Sequence, residues 1–449
     1  MKQRITSLRS NPMPAQGSAA TQPVPPNQSP ISVSELIDYL TPAISRFRAV
    51  SSPLKVPLDT ITFGGLGDQK QVRIASVGLG ERIISFHSAV INLANSGGGA
   101  QTVTVSPHFP YNLLSNTAIQ INGGETTYSA SGRAGLAVWG RDRGGFWEPA
   151  VNNGFGLSPA LVQTTSGANL TPTNATNPFQ TWSGVASISI AAGTNGNLTV
   201  NWITVEKLAH SRDTLLGALP LQNNSTYATV TRNSVGSLVT TNASNAQSPF
   251  YNAGANVTST LTSYTVQQLY YFWGIPSDPS VYQPLIENSY QVIEAKSLTA
   301  AATGASAIVY NIPQNLYLTA AHIFGQDSTG ANLNPNGGLT PATAADFTRL
   351  ALQYNAGSVI PVVEFPERQR AQQYADYGTD IGVVPGYRLW DGHATAELIN
   401  ISDDSGWVDT YAAAEPQIVI DLRAAISTPV VYNITREAIV AGAVQQLGG

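Results

Sequence analysis

The chain contains no cysteine. That excludes disulfide staples, thiol nucleophiles and cysteine-based zinc sites together. Charge is the second scarcity. Only 11% of the 449 residues are Asp, Glu, Lys or Arg, against about 25% in an ordinary soluble domain. Long apolar runs are the third: no stretch of about 20 apolar residues occurs, so nothing reads as a membrane-spanning helix. The 22 Lys and Arg against 27 Asp and Glu leave a net charge of -5. There is no global basic field for nucleic acid, and no direct nucleic-acid binding is expected. Ser, Thr, Asn, Gln and Gly must therefore cover the surface. Ordinary monomers use charge to stay soluble and apart. A chain that gives this up is expected to be covered by copies of itself or to meet a harsh exterior.

Residues 1–31 are rich in Pro, Gln and Ser, including Pro23-Val-Pro25-Pro26, and read as a flexible arm. Lys2, Arg4 and Arg9 make the arm basic, with no acid before Glu35. Asn11, Pro12, Pro14, Gln16 and Gly17 interrupt any apolar core of a signal peptide. Ser32-x-x-Glu35 forms a capping box, and Val33, Leu36, Ile37, Leu40 and Ile44 share one helical face. Thr41-Pro42 fits a fresh helix start, so two short helical turns with a kink are predicted.

From about residue 54 the apolar period becomes two. Val103 and Val105 alternate with threonines, and Ala186, Ile188 and Ile190 with serines. Leu198, Val200 and Trp202 repeat the pattern before Ile203 and Val205. Each run reads as a half-buried antiparallel strand. Gly, Asn and Pro clusters punctuate them, Gly64-Gly65 being read as a hairpin turn. Ser211 is expected to cap a short helix carrying Leu215, Leu216 and Leu219, with a second strand block opening at Tyr227. Further helices are predicted from Thr340-Pro341 into Leu352, from Pro366 into Tyr374, and from Thr435 to Leu447. The fold class is all-β: two β-sandwiches in tandem behind an arm.

No constellation of residues carries a reaction. His87, His108, His210, His322 and His393 show no metal-ligand spacing, and no HExxH helix exists. Gly64-Gly65-Leu-Gly67-Asp-Gln-Lys70 lacks the Gly-Lys-Ser/Thr of a phosphate loop, and Gly78-Leu-Gly80 lacks a third glycine. Glu364 with Glu367, and Asp403-Asp404 with Asp409, are the carboxylate pairs a glycosidase would need. Glu367 also suits a helix N-terminus, and Asp403-Asp404-Ser-Gly406 matches no EF-hand pattern. Neither a metal nor a cofactor is expected. The cluster Trp139-Gly-Arg141-Asp-Arg143-Gly-Gly-Phe146-Trp147 mixes Arg with aromatics. It is read as a loop anchoring a subunit interface, since Trp and Arg lead such hot spots.

Several segments carry a family resemblance. Ser106-Pro-His-Phe-Pro110-Tyr-Asn112-Leu113-Leu114 is similar to a strand-end motif, Phe or Gly followed by Pro-x-Asn-Leu, in the double jelly-roll major capsid proteins of tailless, membrane-containing icosahedral viruses, the tectivirus group above all. Thr126 to Ser131-Gly132 follows at a similar distance. Ser211-Arg-Asp213-Thr-Leu215-Leu-Gly217-Ala-Leu219-Pro220 looks like the family's inter-domain link. Asn315-Leu-Tyr317-Leu-Thr319 to Phe324-Gly-Gln-Asp327, and Arg368 to Tyr377, resemble parts of its second half. The resemblance runs from about residue 33 onward and rests on order and spacing. Val162 to Thr181 looks longer than its counterpart.

The resemblance implies two eight-stranded jelly rolls: an arm and short helix over 1–50, a first roll over 51–209, a linker helix at 210–220, and a second roll with a C-terminal helix over 221–449. It implies a non-enzymatic bacteriophage capsid protein, made in the host cytoplasm, whose homotrimers form pseudo-hexagonal capsomers of an icosahedral shell around an internal membrane. Its partners would be neighbouring capsomers, penton and minor capsid proteins, and membrane lipids touched by Lys2, Arg4 and Arg9. Two other classes stay open on the residues: a secreted β-sandwich carbohydrate-active enzyme, and a virion spike or host-binding lectin.

Overall fold

The computed structural model describes residues 45–142 apart from 76 and 107, 160–164, 169–174, and 185–278 apart from 211–214, 216, 222–224, 244 and 246. Beyond these it describes 289–300, 307–327, 347–354, 357, 359–364, 393–397, 408–410, 415–422 and 430–441. A helical turn, α1 (45–50), leads in. Then follow β1 (Pro53–Phe63), β2 (Gln69–Ile74), β3 (Gly78–Asn95), β4 (Gln101–Val105), β5 (Leu114–Ile121), β6 (Thr126–Ala130), α2 (Gly132–Asp142), β7 (Ala160–Thr164), β8 (Leu170–Asn174), β9 (Val185–Ile190), β10 (Asn195–Lys207), β11 (Leu219–Leu221), β12 (Ala228–Ser234), β13 (Phe250–Tyr251) and β14 (Val257–Trp273). The chain continues through β15 (Ser289–Ala300), β16 (Ala307–Asn311), β17 (Tyr317–Asp327), β18 (Phe347–Tyr354), β19 (Val359–Glu364), β20 (His393–Glu397), β21 (Val408–Asp409), β22 (Gln417–Leu422) and β23 (Val430–Ala441).

The pairing is nested. β1 pairs with β14, β2 with β12, β3 with β10 and β5 with β6. The same nesting recurs further on: β15 with β23, β16 with β22, β17 with β20 and β18 with β19. Folding such a nested ribbon over itself gives two facing four-stranded sheets, which is a jelly roll. In the first roll they run β1-β14-β3-β10 and β2-β12-β5-β6; in the second, β15-β23-β17-β20 and β16-β22-β18-β19. The fold is a double jelly roll.

The rolls share one sheet. β6 of the first pairs in parallel with β15 of the second through Tyr128 and Ser129 against Ile293 and Glu294. A buried ionic contact reinforces the joint. Glu437 on β23 accepts from His322 Nε2 at 2.7 Å and lies 3.8 Å from Lys207 Nζ at the end of β10.

Several expectations change. A division at 210–220 is not what the strands make: β12 and β14 both lie C-terminal to it and pair into the first roll. The nested ribbon requires this, because its last strand must return to its first. The first roll's strands thus end at Trp273, and the second roll's begin at Ser289. The short helix expected at Leu215 and Leu219 is also absent among the described residues. Leu215 and Gly217 adopt left-handed backbone, with φ of 53° and 67°. Leu219 to Leu221 then pair as β11 with Gly78 to Gly80 of β3. Gly80 permits this approach, since a Cβ there would sit 2.6 Å from the Tyr270 hydroxyl and 3.0 Å from Leu219 Cβ.

Phe347–Tyr354 is strand β18, where a helix into Leu352 was expected. Val430–Ala441 is strand β23, where a C-terminal helix was expected. β23 lies between β15 and β17, so its backbone groups are satisfied from both sides, and tertiary pairing overrides local propensity. The Gly64-Gly65 turn is not a hairpin: β1 and β2 lie in opposite sheets, and the turn carries the chain across. The predicted helices at 33–44 and from Pro366 lie outside the described residues.

Candidate assembly face

Strict alternation along β3, β10 and β14 sends one side chain inward and the next outward. At one end of the sheet the pattern is ordinary. Ala89, Ile91, Leu93, Leu198, Val200, Tyr264 and Val266 face the core and are buried. The outward rows there are polar: Thr265–Ser88–Asn201, and Thr260–Asn92–Asn197, in which Asn92 Nδ2 donates to Asn197 Oδ1 at 2.8 Å.

Toward the second roll polar residues enter the inward rows. Ser85, His87, Thr204, Glu206 and Gln268 are inward and buried, beside inward Ile83, Trp202, Val266 and Tyr270. The outward rows become apolar: Pro57–Leu269–Ile84–Val205 across four strands, and Gln267–Phe86–Ile203 beside it. Phe86 is 41% exposed. Ile84, Ile203 and Leu269 are half-buried, and Val205 is buried. The next row, Lys55–Tyr271–Arg82, is cationic, with the Arg82 guanidinium 4.8 Å from the centre of the Tyr271 ring. Phe86, exposed among half-buried apolar neighbours, is the side chain an interaction site here would use.

The inward polar residues form one satisfied network around Arg232, which projects from β12 in the facing sheet and is 0% exposed. Its Nη1 donates to Glu206 Oε1 at 2.8 Å and to Thr117 Oγ1 at 3.0 Å. Nη2 donates to Ser85 Oγ at 2.7 Å, and Nε to Gln268 Oε1 at 3.1 Å. Ser85 passes its proton toward Glu206 Oε2 at 2.9 Å. The Thr204 hydroxyl donates to Glu206 Oε1 at 2.8 Å, so it accepts from His87 Nε2, also 2.8 Å away. His87 Nδ1 is then the acceptor for the Tyr264 hydroxyl at 3.0 Å. This donor order requires neutral imidazole. Burial, and then the charge of Arg232, hold His87 well below its usual range. Burial also pulls on the Arg232 guanidinium, but the adjacent Glu206 carboxylate outweighs it and the group stays cationic. Trp202 stacks on His87 with ring centres 4.7 Å apart.

Other residues singled out in the sequence take different places. Trp139 stands on α2 and is 7% exposed, packed into the core of its own roll, which removes it from an outer interface. Arg141 falls in the last turn of α2, and its side chain is outside the described residues, as are Arg143, Phe146, Trp147, Lys2, Arg4 and Arg9. His87, His108, His210 and His322 are all buried. Among the described residues no group of three or more His, Asp or Glu could hold a metal ion. Glu364 lies on β19 and Asp409 on β21, while Glu367, Asp403 and Asp404 lie outside the described residues. The apolar outward rows were missed. Their signal was present in Ile203 and Val205 following Trp202, where apolar residues change parity.

No protein-family model matches the sequence, and no curated protein matches it. Solved structures do. The crystal structure of the STIV MCP is 14% identical, covering 89% of this chain and 99% of that one, with a TM-score of 0.52. A chain of the atomic structure of Sulfolobus turreted icosahedral virus is 13% identical, covering 88% and 97%, with a TM-score of 0.50. Nested strand pairing and superposition thus agree on one conclusion: this chain has the double jelly-roll fold of viral major capsid proteins.

Proposed function

We propose that this chain is a major capsid protein whose work is self-association. The observation that carries the reading is the end of the sheet β1-β14-β3-β10 toward the second roll, where exposed Phe86 stands beside half-buried Ile84, Ile203 and Leu269 on a fold used by virus shells. The occupant of that face is a second copy of the chain. Homotrimers form pseudo-hexagonal capsomers, each subunit using its face against a different surface of the next, so that the rotation closes. Capsomers tile an icosahedral shell over an internal membrane, with penton and minor capsid proteins at its special positions. The basic arm with Lys2, Arg4 and Arg9 faces that membrane, each charge contributing about 1 kcal/mol near anionic headgroups, a tether and not an anchor. Arg141, Arg143, Phe146 and Trp147 remain candidates for contacts between capsomers.

Native mass spectrometry of the purified chain tests this. The expected species is three times 47.3 kDa. A strictly monomeric chain at high concentration would overturn it. Electron microscopy of particles from co-expression with the virus's other structural proteins tests the shell.

A further inference from the structure

The two rolls leave the same face covered to different degrees. By place in the nested ribbon, β15, β23 and β17 of the second roll correspond to β1, β14 and β3 of the first. One row, Tyr128–Ile293–Glu437–Ala320, runs across the joint between the rolls. Tyr128 and Ile293 belong to the first roll's apolar core, so this side of β15-β23-β17 turns toward the first roll. The other side turns toward β16, where Lys296 Nζ lies 5.9 Å from the centre of the Tyr310 ring. The side toward the first roll is closed: Gln291, Tyr317, His322, Thr435, Glu437 and Ile439 are all buried. The first roll does the covering. Lys207 at the end of β10 reaches Glu437, and the Gly217 carbonyl accepts from the Gln291 backbone N–H at 2.9 Å. The matching side of the first roll is open. Lys55 and Phe86 are exposed there, and Tyr271, Arg82, Ile84 and Leu269 are half-buried.

We propose that this joint is repeated between chains: β19 of one copy lies parallel beside β1 of the next, and its second roll covers the open side of β1-β14-β3. The joint within the chain is made by β6, last strand of β2-β12-β5-β6, against β15, first strand of β15-β23-β17-β20. The corresponding last and first strands are β19 and β1. Each pairs on one side alone among the described residues, β19 with β18 and β1 with β14. Such strand edges are templates for another chain. Pro53 and Pro57 lack the N–H that a long ladder needs, so the contact along β1 is short. The ladder at the joint is itself only two residue pairs. Charge selects the partner. At the joint the covered side brings Glu437 and the covering roll brings Lys207. The open side brings Lys55 and Arg82, and β19 ends on Glu364. Two copies meeting β1 to β1 would set Lys55 against Lys55, and like charges disfavour that. A last-to-first contact is heterologous, so copies add until the rotation closes. It rests on the reading of this face as the contact between copies, and it names the surface that meets the face.

The chain has no cysteine, so a disulfide reports only the pair introduced. Neighbouring strands hold facing Cα atoms within disulfide reach. Ser129→Cys with Glu294→Cys, which face each other at the joint, closes within one chain and sets the oxidation conditions. Lys55→Cys is then combined in turn with Val362→Cys, Val363→Cys and Glu364→Cys, and the full-length chain is oxidised mildly and run without reductant. In at least one combination most of the chain is expected to move into covalent dimers and trimers, which reductant returns to monomer. Each single variant stays monomeric on the gel. A mixture of Lys55→Cys with its partner variant stops at dimers, because each copy then carries one thiol. No cross-link in any of the three combinations overturns the proposal, as do dimers formed by Lys55→Cys alone, which would mean that β1 meets β1. Where a combination does not fold, Lys55→Glu is read by sedimentation velocity: association weakened by about tenfold supports the contact, and unchanged association overturns it. Native mass spectrometry of the wild-type chain separates this contact from the capsid reading. A trimer that no combination cross-links leaves the capsid reading standing without this contact, and a chain that stays monomeric sinks both.

Discussion

The two ends of the sheet β1-β14-β3-β10 share strands, alternation and hydrogen bonding, yet they distribute their side chains in different ways. At the end around Ala89, Ile91 and Leu198 the core is aliphatic and the outer face carries Thr, Ser and Asn. At the end around Ser85, Thr204 and Glu206 the core adds an ionic network to Ile83, Trp202 and Tyr270, and the outer face carries Phe86, Ile84 and Leu269. The first end is built as a solvated wall. The second is, on the proposed reading, the end that meets another copy of the chain. Part of a low overall charge thus lies inside the first roll, where Arg232 and Glu206 pair.

The sharpest way to break the comparison is to remove one member of the ionic interior. Arg232→Ala leaves Glu206 buried without its cation and is expected to cost about 3–5 kcal/mol in denaturant unfolding. Arg232→Met with Glu206→Leu should keep cooperative unfolding at or near wild-type stability, read by the same denaturant titration. Next comes the outer face itself. Phe86→Asp should weaken self-association by about tenfold or more, near 1.4 kcal/mol, in sedimentation velocity, and leave the melting of the monomer nearly unchanged.

Acid provides a graded probe. The unfolded chain takes up a proton at His87 near pH 6.5 and the folded chain does not, because burial holds the folded value well below. The unfolded state therefore binds more protons, and stability falls as pH drops below about 6.5, by at most about 1.4 kcal/mol per pH unit from this group. Denaturation at stepped pH should show that slope, and His87→Gln should flatten it. At the solvated end, Asn92→Asp should change stability by no more than about 0.5 kcal/mol and leave the trimer intact. A larger effect on assembly there than at Phe86 would place the contact at the wrong end.

Much of the fold was legible. Alternation at Val103, Ile188, Leu198 and Val200 announced half-buried strands, and turn residues set their spacing. The helix expected into Leu352 and the one from Thr435 were not legible as strands, because local propensity at these segments is weaker than the ladders that claim them. The roll boundary was misplaced because a break in the strand pattern at 210–220 marks only a local crossing, while the true closure depends on β14 finding β1 more than 190 residues upstream. Trp139 and its Arg neighbours looked like an interface by composition, and burial placed the Trp inside.

The amino-acid sequence by itself determined the class of the molecule: an all-β chain without thiols and poor in charge. Period, composition and spacing are local quantities, and they suffice for that. Only the tertiary structure decided which strands close each roll and which face of each strand points inward between residues 83 and 88. Both depend on partners distant in sequence. Alternation has the same period in either register, so it cannot choose between them.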